Sequence, residues 1–244
     1  MSAIKGKVML KKICDDVYNE FLLGEKSNNK SLFEKIHKLD GFFYYRNLIT
    51  PDSLEILFDL ERKMIHSKGP NKQYIERTIL KGLSKYTFQT HYFMNTESYS
   101  KKKAPEEEQE YLIAVKLVDF ADELFAMNIP RDNFANKRKG LALEMLMPLA
   151  KQYDIPKIFE LCLIALKSKK PGLILSGIEF LESCGNDQDA PLKPDIIELL
   201  DKIISETRDR TIAVSALDVQ VQKGHISEFE AVMRIDEWKE RYLK

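Results

Sequence analysis

Apolar residues along this chain recur at three- and four-residue steps and rarely alternate, a period that fits one face of an α-helix and not a half-buried strand. Glycine and proline, which interrupt helices, number only 10 and 9 among 244 residues. The prolines also fall where helices tolerate them. Pro51, Pro130, Pro156, Pro171 and Pro194 each stand just ahead of a periodic apolar run, where a missing N–H costs nothing. Pro148 is the exception, lying inside the run 141–153, where it removes a hydrogen bond and bends the helix. An all-α fold is therefore expected, with helices near 8–23, 30–39, 52–66, 71–94, 107–127, 138–153, 156–168, 171–184, 194–206, 209–223 and 227–243. The aromatic run Phe42, Phe43, Tyr44 and Tyr45 has no clean period and reads as a short helix or a packed loop.

The second half contains an internal likeness. Segments 141–153, 173–184 and 212–223 place apolar residues similarly, and aligning Leu146, Ile178 and Leu217 gives offsets of 32 and 39 residues. Helices 156–168 and 194–206, each introduced by proline, lie between them, so helix pairs alternate with short turns. This rhythm resembles HEAT and armadillo-type helical repeats, most of all over 169–223. The resemblance implies a right-handed superhelix of antiparallel helix pairs, with a more irregular helical part ahead of it and a concave face suited to extended partners. The Asp–Arg ladder of HEAT repeats does not carry over: Asp209 stands in one turn, but Ala213 and Ile174 occupy the Arg positions. A compact bundle of amphipathic helices is the alternative. The last helix, with Phe229, Val232, Ile235, Trp238 and Tyr242, reads as a cap with one wet face, Trp238 being core.

The polar stretch 96–105 carries Lys101, Lys102 and Lys103 and is followed by Glu106, Glu107 and Glu108, so it reads as a linker running into a helix N-terminus. It separates a basic helical region, 1–95, from a HEAT-like repeat region, 106–244, with stacking into one continuous domain as the alternative. The chain as a whole is neutral, with 38 Lys plus Arg against 38 Asp plus Glu. Residues 1–105 nevertheless hold 19 against 12, and 106–244 hold 19 against 26, a division of plus seven and minus seven.

Within the basic part, Arg77, Lys81 and Lys85 follow four-residue spacing along one helix face, and Tyr44, Tyr45 and Arg46 form a second patch. Cations interleaved with aromatics hold phosphates and stack bases, so both are candidate anion or nucleic-acid-binding groups. The alternative for the first is a solvated helix face, and for the second, packing at a helix junction.

Catalytic signatures are lacking. There is no HExxH, GxSxG, GxxxxGK[ST] or GxGxxG, and His37, His66, His91 and His225 are isolated from one another and from the cysteines. Asp119, Asp122 and Glu123 share a helix and are expected to face water. No catalytic residue, cofactor or metal site is expected. Cys14, Cys162 and Cys184 are an odd, scattered set that builds no disulfide framework, which suits a cytoplasmic protein. The apolar run Val8, Met9 and Leu10 is too short for a secretion signal, and no stretch is long enough for a membrane span. The leading expectation is a non-enzymatic helical-repeat scaffold that binds a protein or peptide through a concave or charged face. The alternative is a nucleic-acid binder that uses the basic half. It extends to a DNA glycosylase-like enzyme, since the alkylpurine glycosylases also use HEAT-like repeats. Against that enzyme stand the single tryptophan, Trp238, and the acidic repeat-like half.

Overall fold

A computed structural model describes residues 3–24, 29–45, 48–92, 109–184 and 192–243. The described residues contain eleven α-helices and no strand. These are α1 (Ala3–Leu22), α2 (Asn29–Phe42), α3 (Pro51–His66), α4 (Lys72–Thr87), α5 (Gln109–Ala126), α6 (Ala135–Gln152), α7 (Pro156–Leu166), α8 (Pro171–Cys184), α9 (Pro194–Glu206), α10 (Arg210–Gln222) and α11 (Glu228–Tyr242). Pro51, Pro156, Pro171 and Pro194 are first helical residues, as their position in the sequence predicts. Pro130 is not: it enters a turn in which Arg131 takes a φ of 61°, and α6 begins only at Ala135. Pro148 lies inside α6 and is buried. The helix expected over 71–94 stops at Thr87 and continues as a π turn, Phe88–Tyr92. None of the described helices is long and apolar enough to cross a membrane.

The chain forms two compact units, Met1–Ile155 and Pro156–Lys244. The stretch 96–105, expected as a linker, lies outside the described residues. Helices on both sides of it belong to the first unit, where α4 packs on α2, α3 and α6, and α5 packs on α3 and α6. Counted by unit, the charges are 25 basic against 22 acidic in the first and 13 against 16 in the second, so plus seven and minus seven shrink to plus three and minus three. The change comes from residues 106–155, which join the first unit and hold 6 basic against 10 acidic residues. Glu123, expected to face water, is only partly exposed and takes two hydrogen bonds from Arg62 of α3, at 2.8 and 2.7 Å.

Local signals explain the helix starts. Thr50 and Ser53 form a reciprocal capping box at α3, Ser53 N–H donating to Thr50 Oγ1 and Thr50 N–H to Ser53 Oγ. In the second unit Asp209 caps α10, accepting from the Thr211 and Ile212 amides. There α7 packs on α8, α8 and α9 pack on α10, and α11 closes against α10. Trp238 is the one residue of α11 that is fully buried, its indole donating to the Thr207 carbonyl at 2.9 Å.

One close approach sets the surface described below. After α2 the chain turns so that Phe43 points inward while Tyr44 and Tyr45 point out. The Phe43 ring lies directly on Gly82 of α4, where an added Cβ would stand 2.1 Å from a ring carbon. Gly82 is therefore required for lack of a side chain. Gly82→Ala gains helix propensity of up to about 1 kcal/mol, but forces the ring out of a filled core, at a cost of about 1–3 kcal/mol. A net loss of stability in urea unfolding is expected, and an unchanged or raised midpoint would show that the ring has room to move.

Candidate functional site

The outer faces of α2 and α4 lie side by side in the first unit. Phe33 of α2 meets Tyr74 of α4 edge-on, with ring centroids 5.2 Å apart, and at the other end Lys85 donates to Asp40 at 3.0 Å. Early residues meet early ones and late meet late, so the two helices run in the same direction. Phe33, Tyr74, Tyr44 and Tyr45 are 43, 48, 58 and 60% exposed, large fractions for aromatic rings. Exposed His37 lies one turn beyond Phe33 on α2. Tyr44 also takes the Lys85 ammonium over its ring, 5.5 Å from the centroid.

The residues singled out in the sequence are brought together only in part. Lys85 and Tyr44 meet, and the hydrogen bond to Asp40, aided by its charge, raises the Lys85 pKa. Lys81 turns the other way and donates to both carboxylate oxygens of Glu144 on α6, at 2.8 and 2.9 Å, beside a bond from the Ser84 hydroxyl. Arg77 is exposed and makes no ion pair among the described residues. Tyr45 is exposed on the same turn as Tyr44, and Arg46 lies outside the described residues. Phe33 is not among those residues. The sequence signal for it is an aromatic on the polar side of a helix whose apolar side is already complete.

Beneath this face lies a cluster of buried charge. Arg138 of α6 donates to Glu76 of α4 through Nε at 3.1 Å and Nη2 at 2.6 Å, and through Nη1 to Asp132 at 2.8 Å. Its Nε is 3.6 Å from Glu61 of α3, whose two carboxylate oxygens accept no hydrogen bond among the described residues. Lys72 lies 3.6 Å from the other Glu76 oxygen. Glu61 and Glu76 are fully buried and Arg138 almost so. Burial, and then repulsion from Glu76, push the Glu61 carboxyl well above its ordinary value. Burial raises Glu76 too, against the pull of Arg138. The Arg138 pKa, which burial alone would lower, is raised by its bonds to Asp132 and Glu76. Two raised carboxyls side by side are a catalytic pattern in principle, but these have no exposed atom for a substrate to reach. They act as a clamp joining α3, α4 and α6.

The two buried cysteines are unsuited to thiol chemistry as well. Burial pushes Cys14 up to about 12 and Cys162 higher still, so neither supplies a thiolate near neutral pH. Among the described residues, no three His, Cys, Asp or Glu side chains converge as metal ligands. Comparison with protein-family models, with curated proteins and with solved structures finds no match for this chain.

The clamp predicts an asymmetry. Arg138→Met strands two buried carboxylates and should cost about 3–5 kcal/mol, whereas Glu61→Gln keeps the side chain's shape, removes only the titrating carboxyl and should cost little. The native state keeps a proton on Glu61 above the ordinary value of 4.5, so it binds more protons than the unfolded chain there. This contribution to stability is complete below that value and is lost as pH rises through the native one. Urea unfolding at several pH values should show that decline, and Glu61→Gln should flatten it. An unaltered slope in the variant would place the proton elsewhere.

Proposed function

We propose that this chain is a non-enzymatic helical scaffold that binds a partner protein through the α2–α4 face. The carrying observation is a face with four exposed aromatics whose nearby lysines are already matched by carboxylates. Lys81 and Lys85 belong to Glu144 and Asp40, so a polyanion would have to compete for them, and Arg77 alone remains as a phosphate contact among the three aligned cations. Tyrosine and arginine on a rigid, nearly neutral surface suit a protein interface, where such residues dominate the binding energy. Exposed Arg77, one turn from Tyr74, adds a single site for a carboxylate of the partner.

The finer architecture belongs to the same reading. In the second unit the helices pair as α7 with α8 and α9 with α10, the second members α8 and α10 pack together, and an aspartate caps the second helix of the latter pair. These features support a short HEAT-like array used as a support for binding surfaces. A cytoplasmic setting fits an odd, scattered set of three cysteines that builds no disulfide framework.

Tagged protein purified at low salt from its source cells should retain a stoichiometric protein partner. Tyr44→Ala with Tyr74→Ala should reduce that retention at least about tenfold, hot-spot losses being about 2 kcal/mol or more each, with unchanged helical circular dichroism. The competing result is recovery of an oligonucleotide that Arg77→Glu and raised salt release. Arg77 is the clean probe here, since changing Lys81 or Lys85 also breaks a bond to α6 or α2.

A further inference from the structure

A groove of about 400 Å³ opens between α10 and α11 in the second unit. Val214, Leu217 and Val221 of α10 and Val232 and Ile235 of α11 make it apolar, and its two charged lining residues, Asp218 and Glu228, are both acidic. A third carboxylate, Glu182 of α8, stands close to Asp218. Burial and then this neighbour raise the Asp218 carboxyl, so the acidic side of the groove is short of positive charge. The apolar surface continues over α11, where Phe229 is 75% exposed and Val232 and Met233 are exposed too.

The reason lies in how α11 is attached. From its middle onward the helix is anchored by Arg234 on Asp201 of α9 and Gln220 of α10, and by Trp238 on the Thr207 carbonyl. Its N-terminal half has no buried residue, since Trp238 is the sole fully buried residue of the helix. Arg234 is thus already committed and supplies no counter-charge to the groove. A lone exposed leucine or valine needs no explanation, but a contiguous apolar trough with a charged edge of one sign does.

We propose that the α10–α11 groove is a docking site for a basic amphipathic helix of a partner protein. Apolar side chains at three- and four-residue spacing would fill the trough, and Lys or Arg on the flanks would reach Asp218 and Glu228. Charge complementarity selects this occupant: an acidic helix would face three carboxylates without a counter-ion. The site is in a different unit from the α2–α4 face and does not depend on it.

The test uses the full chain and a fluorescein-labelled synthetic leucine–lysine amphipathic helix, followed by anisotropy at about 0.15 M salt. Saturable one-to-one binding is expected. Asp218→Lys with Glu228→Lys should weaken it at least tenfold, and Val232→Glu should do so separately. Glu198→Lys, the same charge change on exposed α9 outside the groove, should leave it unchanged. All of these positions are exposed, and circular dichroism checks that each variant is folded. The proposal is overturned by absence of binding, by equal weakening in Glu198→Lys, by preference for a leucine–glutamate helix, or by sedimentation showing that a second copy of the chain fills the groove.

Discussion

The first unit is organised around a guanidinium that is almost entirely out of water. Arg138 sits among Glu76, Asp132 and Glu61, so α6 is held to α4 and α3 by charge placed inside an otherwise apolar core. Such a cluster is weak evidence for extra stability, because taking the ions out of water offsets much of their attraction. Its effect here is to fix position. An apolar contact tolerates a slide of one helix over another, whereas a guanidinium held by two carboxylates at 2.6 and 2.8 Å does not. The orientation of α4 follows from that register.

With Glu76, Ile79 and Leu83 committed to the core, Tyr74, Arg77, Lys81 and Lys85 are left on the outer side of α4. Two of those cations then bond to neighbouring helices, which ties the face down while removing most of its appeal to polyanions. Gly82 completes the arrangement by admitting the Phe43 ring, and the turn that buries Phe43 is the one that turns Tyr44 and Tyr45 outward. What remains is a rigid, aromatic and nearly neutral surface. That description fits protein recognition better than phosphate recognition, and it rests on pairings between residues distant in sequence.

Those distances separate what the sequence could disclose from what it could not. Helical periodicity and proline at first helical positions are local, and they located the helices, Trp238 in the core and Asp209 at a turn. Lys81 and Glu144 are 63 positions apart, and Lys85 and Asp40 are 45, so the cancellation of the basic stripe could not be seen along one helix. The unit boundary is hidden for the same reason, since it follows from α5 and α6 packing on α3 and α4. The clamp was more accessible than it looked. Glu61, Glu76 and Arg138 each occupy a core phase of their helix, and a charged residue on an apolar stripe asks for a buried partner.

Photo-crosslinking in the source cells tests contact between the α2–α4 face and a protein, whatever the identity of the partner. Benzoylphenylalanine would replace Tyr44, Tyr74 or, as a control on the same unit, exposed Leu112 of α5. A docking face on α2 and α4 requires crosslinks from positions 44 and 74 to the same protein and none from 112. Crosslinks to nucleic acid at 44 and 74, or equal yields at all three positions, would contradict it.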